Sequence, residues 1–183
     1  RSGVRRYVTL ALRAAHNGFA GRLLEVPVGT GCLSLPIYAE LPEADITCLD
    51  YAPAMLAAAR ARAEALGIRN VTFTEGDVGH LTFDDAAFDA AVSINGFHAF
   101  PDKEAAWSEV HRVLRPGGRL TGSVFVLGEN ARTDFVVTQL YTRMGFFTPP
   151  YDTRESLTER LRALYAEVSV ECVESLAGFS CVK

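Results

Sequence analysis

One short stretch constrains the fold more than any other: residues 23–31 read Leu-Leu-Glu-Val-Pro-Val-Gly-Thr-Gly. The apolar run predicts a buried β-strand, and the glycines after it predict a tight turn into a helix. Such a turn brings backbone N–H groups and a helix amino terminus together at one edge of a sheet. Because Gly29 and Gly31 carry no side chain, a ligand can lie directly on their backbone. Glu25 lies near the same edge, where its carboxylate suits a cationic group better than a phosphate.

Apolar segments of two kinds alternate along the rest of the chain. Strands are predicted over 22–28, 46–49, 71–74, 88–94 and 119–126. Helices are predicted over 4–12, 33–41, 53–66 and 102–114. Strands that alternate with helices form βαβ units. We therefore predict an α/β, doubly wound fold with a mostly parallel sheet.

The end of the chain departs from this alternation. A helix is predicted over 155–165, with Thr153 as its amino-terminal cap. Two strands over 168–175 and 179–182, separated by Leu176-Ala177-Gly178, predict a carboxyl-terminal antiparallel hairpin.

Residues 129–150 fit no strand–helix unit and carry several aromatic side chains. A segment of this length between two elements is often functional, so we interpret it as a lid or substrate-binding insertion. The alternative is an ordinary crossover helix whose aromatic side chains belong to the core. No composition shift or linker divides the chain, so a single domain is expected over residues 1–183.

Composition argues against several classes of function. The chain has 183 residues and a formal net charge of −4, so no overall basic field draws it to nucleic acid. No apolar run approaches the roughly 20 residues needed to cross a bilayer, and we expect no integral membrane contact. The four cysteines lie in apolar segments without metal-ligand spacing. This predicts reduced thiols, no bound metal and a cytoplasmic protein.

Polar residues mark the ends of four predicted strands. Glu25 lies near the end of the first strand, Asp50 follows the second and Asp77 the third, and Ser93-Ile94-Asn95-Gly96 closes the fourth. Ligands of open parallel sheets bind beyond the carboxyl ends of the strands, so these residues are expected to converge. Asp50 stands 19 residues after Gly31, and an acidic side chain in such a position accepts hydrogen bonds from ribose hydroxyls.

With these motifs in this order, the chain resembles the class I S-adenosylmethionine-dependent methyltransferases, and among them the small-molecule, ubiquinone/menaquinone type. The resemblance is clear over residues 20–126 and looser over the whole chain. The segments that carry it are 24–31 (LEVPVGTG), 48–56 (CLDYAPAML), 75–78 (EGDV), 88–92 (FDAAV) and 112–118 (RVLRPGG). It implies a Rossmann-like three-layer sandwich with a seven-stranded sheet. It also implies S-adenosyl-L-methionine as cofactor and a small-molecule methyl acceptor, apolar or lipid-like.

The resemblance implies roles for individual positions at the methionine end of the cofactor. The residues implied there are Glu25, Val26, Gly29, Thr30, Gly31, Ser93 and Asn95. Within this set Glu25 would hold the methionyl ammonium, and Gly29 and Gly31 would pass beneath the methionyl and ribose parts.

At the adenosine end, the resemblance implies that Asp50 binds the ribose hydroxyls. Tyr51 and Met55 would flank the adenine. Asp77 would accept a hydrogen bond from the adenine amino group, and the Val78 N–H would bond a ring nitrogen.

One position departs from the family pattern: Pro27 stands where the family usually has glycine. Proline supplies no N–H and fixes φ near −65°, so it alters the loop. Gly29 and Gly31 are the glycines nearest the ligand, and we therefore expect cofactor binding to survive.

His98 is the candidate general base. It follows the fourth strand end, where the transferable methyl group is expected, and an ordinary histidine titrates near neutral pH. The alternative is a histidine that orders the loop. A base is needed only where the nucleophile carries a proton that must leave.

Two other functions stay open on the sequence. Gly29-x-Gly31 followed by Asp50 partly matches an NAD(P)-dependent oxidoreductase, although Ser34 replaces the third glycine of that motif. Pro27 leaves open a protein that binds the cofactor without catalysis and serves as a regulatory or partner subunit. The sequence specifies neither the acceptor atom nor the oligomeric state.

Overall fold

A computed structural model describes residues 11–15 and 18–183 of the chain. Its strands are β1 Arg22–Glu25, β2 Asp45–Asp50, β3 Val71–Glu75, β4 Phe88–Ile94, β5 Leu114–Phe125, β6 Glu167–Val173 and β7 Leu176–Val182. Its α-helices are α1 Leu35–Tyr38, α2 Pro53–Ala65, α3 Lys103–Val113, α4 Ala131–Val136 and α5 Arg154–Leu164.

The seven strands form one sheet in the order β3-β2-β1-β4-β5-β7-β6. Neighbouring strands from β3 to β5 are parallel, whereas β7 runs antiparallel to both β5 and β6. The predicted mostly parallel sheet with a carboxyl-terminal antiparallel hairpin is therefore confirmed.

Each face of the sheet carries its own apolar layer. On β1, Leu23 packs with Tyr38 of α1 on one face, and Leu24 belongs to the cluster around Trp107 of α3 on the other. Helix α2 covers the first face, and α5 covers the second. A central strand covered on both sides is apolar at successive positions, which is why residues 23 and 24 are both leucine.

The order of strands reverses between β1 and β4. From β1 the chain proceeds outward to β2 and β3, and it then returns to place β4 on the other side of β1. A reversal of this kind opens a crevice at the carboxyl ends of the two central strands. The residues that follow Glu25 and Ile94 therefore lie at its centre.

β1 ends at Glu25, three residues before the predicted end of the strand. Pro27 has no N–H to donate, so the regular ladder stops. The neighbouring residues still pair, because Val26 N–H donates to Val92 O at 2.9 Å and Val28 N–H donates to Leu49 O at 3.0 Å. Residues 26–28 therefore remain hydrogen-bonded between β4 and β2 after the regular strand has ended.

The hairpin turn lies two residues before the predicted one. Leu176-Ala177-Gly178, expected as the connection, belongs to β7, and the turn is Glu174-Ser175 between the paired residues Val173 and Leu176. Glu174 has a φ of 51°, which is the left-handed conformation that two-residue hairpins require. Gly178 is therefore a buried strand residue and not part of the turn.

Most predicted helix boundaries agree with the structure to within one or two residues. Asp102 caps α3 by accepting a hydrogen bond from Ala105 N–H at 2.9 Å. Thr153 caps α5 in a reciprocal pair with Ser156. Helix α1 is shorter than its prediction over 33–41, because the chain makes turns before Leu35.

The leading helix over 4–12 falls mainly outside the described residues. Residues 129–150 contain α4 and a π-helical turn, Val137–Tyr141, that continues it. In the part of the chain that the structure describes, no helix is both long and apolar enough to cross a membrane.

Candidate active site

Two adjoining cavities open at the crevice beyond β1 and β4. The larger, of about 460 Å³, includes the predicted residues Val26, Asp50, Tyr51, Asp77 and Val78 in its walls. The smaller, of about 230 Å³, includes the predicted residues Glu25, Gly29, Thr30, Gly31 and Asn95. Pro27 lines both cavities, so they meet at this residue. Ten of the residues predicted from the sequence are thus brought to one continuous rim.

The Asp50 carboxylate joins two loops of this rim. Its Oδ2 accepts a hydrogen bond from Gly29 N–H at 2.7 Å, and its Oδ1 accepts one from Ala52 N–H at 2.9 Å. The side chain is almost fully buried, so its position is fixed. Each carboxylate oxygen has a second lone pair, which leaves Asp50 able to accept hydrogen bonds from a ligand as well.

The two loop glycines serve different purposes. Both adopt the left-handed conformation, with φ of 55° at Gly29 and 64° at Gly31, which favours glycine. A Cβ on Gly29 would have nothing within 4 Å, so this residue leaves open space on the cavity side. A Cβ on Gly31 would lie 2.3 Å from Leu35 Cδ1, so this residue lets α1 pack against the loop.

Glu25 is a buried carboxyl group at the base of the smaller cavity, with a relative exposure of 1 %. Cys48 Sγ donates to its Oε2 at 3.6 Å. Burial raises the pKa of Glu25 to about 8, although the neighbouring Ser34, Tyr38 and Cys48 side chains lower it and the Asp50 charge raises it further. Among the described residues no lysine, arginine or histidine pairs with it.

Asp77 and Val78 form the far wall of the larger cavity. Asp77 caps a single 3₁₀ turn, and its Oδ1 accepts a hydrogen bond from Gly79 N–H at 2.8 Å. Its Oδ2 lies 3.4 Å from His80 Nδ1. The carboxylate is therefore held by its own turn, while half of its side-chain surface stays open to a ligand.

Three predicted residues lie outside the walls of both cavities. Met55 is exposed on the first turn of α2. Ser93 is fully buried, and its hydroxyl has no hydrogen-bond partner within normal limits. His98 follows Asn95 in the same loop, and its ring stacks on Phe147 instead of lining either cavity.

The His98 ring is held in a defined state. Its Nδ1 accepts a hydrogen bond from Phe125 N–H at 3.2 Å, and the ring stacks on Phe147 with centroids 4.1 Å apart. Burial, assisted by the charge of Lys103, lowers the pKa of His98 to about 4. The neutral ring therefore carries its proton on Nε2. A base role for His98 stays a prediction, and it requires the Phe125 N–H bond to break.

Sequence reasoning did not identify several wall residues. Leu49, Ala99 and Phe100 line the larger cavity, and Ser34 lines the smaller one. Leu49 could have been found as the residue just before Asp50 at the end of β2. Ala99 and Phe100 had a weaker signal, which is their position in the loop after β4.

Pro27, which stands where the family usually has glycine, packs beside Gly96. A Cβ on Gly96 would lie 2.3 Å from Pro27 Cδ and 2.8 Å from Ser93 Oγ. Gly96 therefore provides the space that the proline ring fills. The pair allows proline at this position while the cavities on both sides persist.

Comparisons with known proteins agree with this geometry. Residues 23–118 match the family described as methyltransferase domain. The chain is 36 % identical over 181 residues to the demethylmenaquinone methyltransferase of Thermus thermophilus, covering 96 % of this chain and 80 % of that protein. It is 34 % identical over 183 residues to a ubiquinone/menaquinone biosynthesis C-methyltransferase of Dinoroseobacter shibae, covering 95 % and 70 %.

A solved structure shows the same fold. The YcgJ protein from Bacillus subtilis superposes with a TM-score of 0.77 at 22 % identity, over 92 % of this chain and 71 % of that chain. The matches to two other curated relatives cover 54 % and 58 % of this chain, and 41 % and 52 % of those proteins.

The fold and the paired cavities define a class of α/β protein that binds a nucleoside cofactor at the switch point of its sheet. Within that class the chain belongs to the methyltransferase domain family. It is an S-adenosylmethionine-dependent methyltransferase that acts on a small-molecule acceptor, as the family resemblance implied.

The residues present suit this cofactor. A cationic ammonium matches the buried Glu25 carboxyl, and ribose hydroxyls match the free lone pairs of Asp50. The open space beside Gly29 allows a ligand to approach the backbone. In the described part of the chain, no cluster of His, Cys, Asp and Glu side chains is placed to hold a metal ion.

Glu25 gives the first testable prediction, because its pKa is near 8 in the folded chain and 4.5 is its ordinary value. Between about pH 5 and pH 8 the folded state retains a proton that the unfolded chain releases. The contribution of Glu25 to stability must therefore fall as the pH rises through this window and level off above it. We expect Glu25→Gln to remove this decline, gaining on the order of 1 kcal/mol over wild type per pH unit.

Urea unfolding at a series of pH values measures the difference. Glu43→Gln, which changes an exposed carboxylate, is the matched control and should follow wild type throughout. Parallel stability curves for wild type and Glu25→Gln would show that the buried carboxyl is ionised across the whole range.

Proposed function

We propose that the cofactor lies across both cavities and that the acceptor is an apolar or lipid-like small molecule. One observation carries the cofactor assignment: carboxylates at three successive strand ends surround two cavities that share Pro27. In this arrangement the methionyl part occupies the smaller cavity beside Glu25. The nucleoside occupies the larger cavity between Asp50 and Asp77.

The acceptor side is proposed from the loop that follows β4. Asn95 lines the smaller cavity and Phe100 the larger one, so this loop borders the cofactor site along its length. On its other side, the His98 ring stacks on Phe147, which in turn contacts Phe125 and Tyr151. An acceptor that enters here would reach the methionyl end of the cofactor.

The surroundings of the loop are apolar. Phe147 lies at the centre of an aromatic cluster, with ring centroids 4.1 Å from His98, 5.5 Å from Phe125 and 5.7 Å from Tyr141. Tyr151 adds an edge contact to Phe125 at 5.7 Å. Such a lining favours an acceptor with a large apolar surface.

Residues 129–150 are proposed as the lid over this site. The segment is attached to the β4–α3 loop, because Thr148 N–H donates to His98 O at 2.9 Å and Thr148 Oγ donates to Ala99 O at 3.1 Å. Lys103 Nζ also donates to the carbonyl oxygens of Thr148 and Pro150. The attachment holds Phe147 against the His98 ring.

The names of the relatives support an apolar acceptor. The Thermus thermophilus protein is named for demethylmenaquinone, and the Dinoroseobacter shibae protein for ubiquinone and menaquinone biosynthesis. A quinone-type acceptor would suit the aromatic cluster around Phe147.

The chemistry demands little of the side chains. When bound, S-adenosylmethionine would supply its sulfonium methyl group to an aligned nucleophile, and S-adenosylhomocysteine would be the leaving group. The chain aligns the reactants through Asp50, Asp77 and the glycine loop, and its apolar lid keeps water away. A proton acceptor is needed only where the nucleophile of the acceptor is protonated.

Calorimetry with S-adenosylhomocysteine tests the cofactor assignment. Asp50→Asn keeps the shape of the side chain but removes one accepting oxygen, so we expect binding to weaken by about 10-fold to 100-fold. Asp45→Asn, at the opposite end of β2, is the matched control and should bind as wild type. Equal affinity of Asp50→Asn and wild type would refute the ribose role, and binding of NAD instead would favour the oxidoreductase alternative.

His98→Asn separates two roles of the histidine. The Asn carbonyl can replace Nδ1 as acceptor for Phe125 N–H, but it cannot serve as a base. Because the ring is already engaged with Phe125, we propose a positioning role and expect turnover to fall less than about tenfold. A loss of about 100-fold or more, the usual scale for a general base, would support the catalytic role instead.

Product mass spectrometry with an isotopically labelled methyl donor and a panel of apolar acceptors gives the turnover for this comparison. Melting curves of both proteins verify that the variant is folded. Cofactor binding without turnover on any acceptor would favour the regulatory alternative.

A further inference from the structure

The proposed lid exposes an unusually apolar surface. We define the apolar face as Phe135, Val136, Leu140, Tyr141, Met144 and Phe146, whose relative exposures run from 38 % to 68 %. All six lie within twelve consecutive residues of α4, the π-helical turn and the turn after it. Clustered exposed side chains of this kind mark an interaction surface, whereas single ones do not.

The apolar face is presented on a supported segment. At its start, Asn130 Oδ1 accepts hydrogen bonds from the N–H groups of Arg132 and Thr133. At its end, Thr148 is attached to the β4–α3 loop as described above. Between these ends, Thr142 Oγ donates to Val137 O at 2.8 Å and bonds the Tyr151 hydroxyl at 2.6 Å. The six apolar side chains therefore project from a fixed scaffold.

Charge distinguishes the candidate occupants of this face. The exposed charged side chains of residues 131–147 are Arg132 and Arg143, and neither forms an ion pair with another described residue. The acid in this stretch, Asp134, accepts a hydrogen bond from Gly128 N–H at 2.9 Å, and its other oxygen is buried. The exposed charges beside the apolar face are thus both positive, although the chain as a whole has a formal net charge of −4.

Glu129 lies just before the stretch 131–147 that carries the apolar face. It precedes the cap residue Asn130, and its charge acts on Cys172 of β6, where it adds to burial in raising the pKa of that thiol. A second copy of this chain docking face to face would therefore bring arginines together without acids to pair with them. Desolvating such charges is costly, which argues against that occupant.

We propose that the apolar face docks on the surface of a lipid bilayer that contains anionic lipids. Aromatic and long aliphatic side chains beside arginines are the pattern of segments that lie in the headgroup region. The phosphates of anionic lipids would supply the negative partners that Arg132 and Arg143 lack. The chain would lie on the membrane with the lid and the aromatic cluster around Phe147 facing it.

Vesicle sedimentation tests the docking without cofactor or acceptor. We expect the chain to sediment with vesicles in which about a third of the lipid is phosphatidylglycerol and much less with phosphatidylcholine alone. The double variant Leu140→Ser, Phe146→Ser should lower the binding constant by about tenfold or more, because both apolar side chains enter the interface. Leu66→Ser, a comparably exposed leucine at the end of α2, is the matched control and should bind as wild type.

Arg132→Gln and Arg143→Gln keep the apolar face intact and provide a second test. Each should lower binding to the anionic vesicles about fivefold, with little change on neutral vesicles. Circular dichroism verifies that all variants are folded, as expected for exposed positions.

Three results would overturn the proposal. The first is no sedimentation with either vesicle type, and the second is an equal loss of binding in Leu66→Ser. The third is a dimer in light scattering that the double variant abolishes, which would make the face a contact between copies. Because the measurement contains neither methyl donor nor acceptor, its failure would leave the proposed function standing.

Discussion

The structure depends on the hydrogen bonds that the Asp50 carboxylate makes to two loops. One oxygen accepts from Gly29 N–H and the other from Ala52 N–H. These bonds fix the glycine loop after β1 relative to the start of α2, although the loops are 21 residues apart in the chain. The same carboxylate then faces the larger cavity with lone pairs to spare. Its position is set before any ligand arrives, so no ordering is required on binding.

The neighbouring Glu25 shows the energetic cost of such a site. A carboxyl group with 1 % exposure and no cationic partner among the described residues is held in its neutral form by burial. Placing it there lowers the stability of the free protein above neutral pH. A cationic ligand group would offset that cost, because it provides the missing charge partner. The site is therefore less stable alone than an apolar core would be, as binding sites commonly are.

The sequence allowed the sheet and the position of the site to be predicted, because both follow from local signals. Alternating apolar segments define the βαβ units, and parallel strands necessarily bring the residues after them to one edge. Glu25, Asp50 and Asp77 could therefore be placed together from the chain order alone. The predicted cap Thr153 was equally local, since it bonds a backbone group three residues away.

The features that could not be predicted are contacts between distant residues. Gly96 leaves room for Pro27, which explains how proline is accommodated in the glycine loop, yet 69 residues separate the two. The Phe125 N–H that engages His98 comes from another strand. The hairpin turn was misplaced because Gly178 satisfies the usual turn signal, while the pairing of β7 with β5 and β6 places this residue within a strand.

The most direct test of the account is a crystal structure with S-adenosylhomocysteine, which retains the ammonium, ribose and adenine of the cofactor. We expect the ribose hydroxyls within about 3 Å of the Asp50 carboxylate. The adenine should lie in the larger cavity beside Asp77, and the ammonium should face Glu25. A nucleoside bound elsewhere, with no contact between the ribose and Asp50, would contradict the central claim.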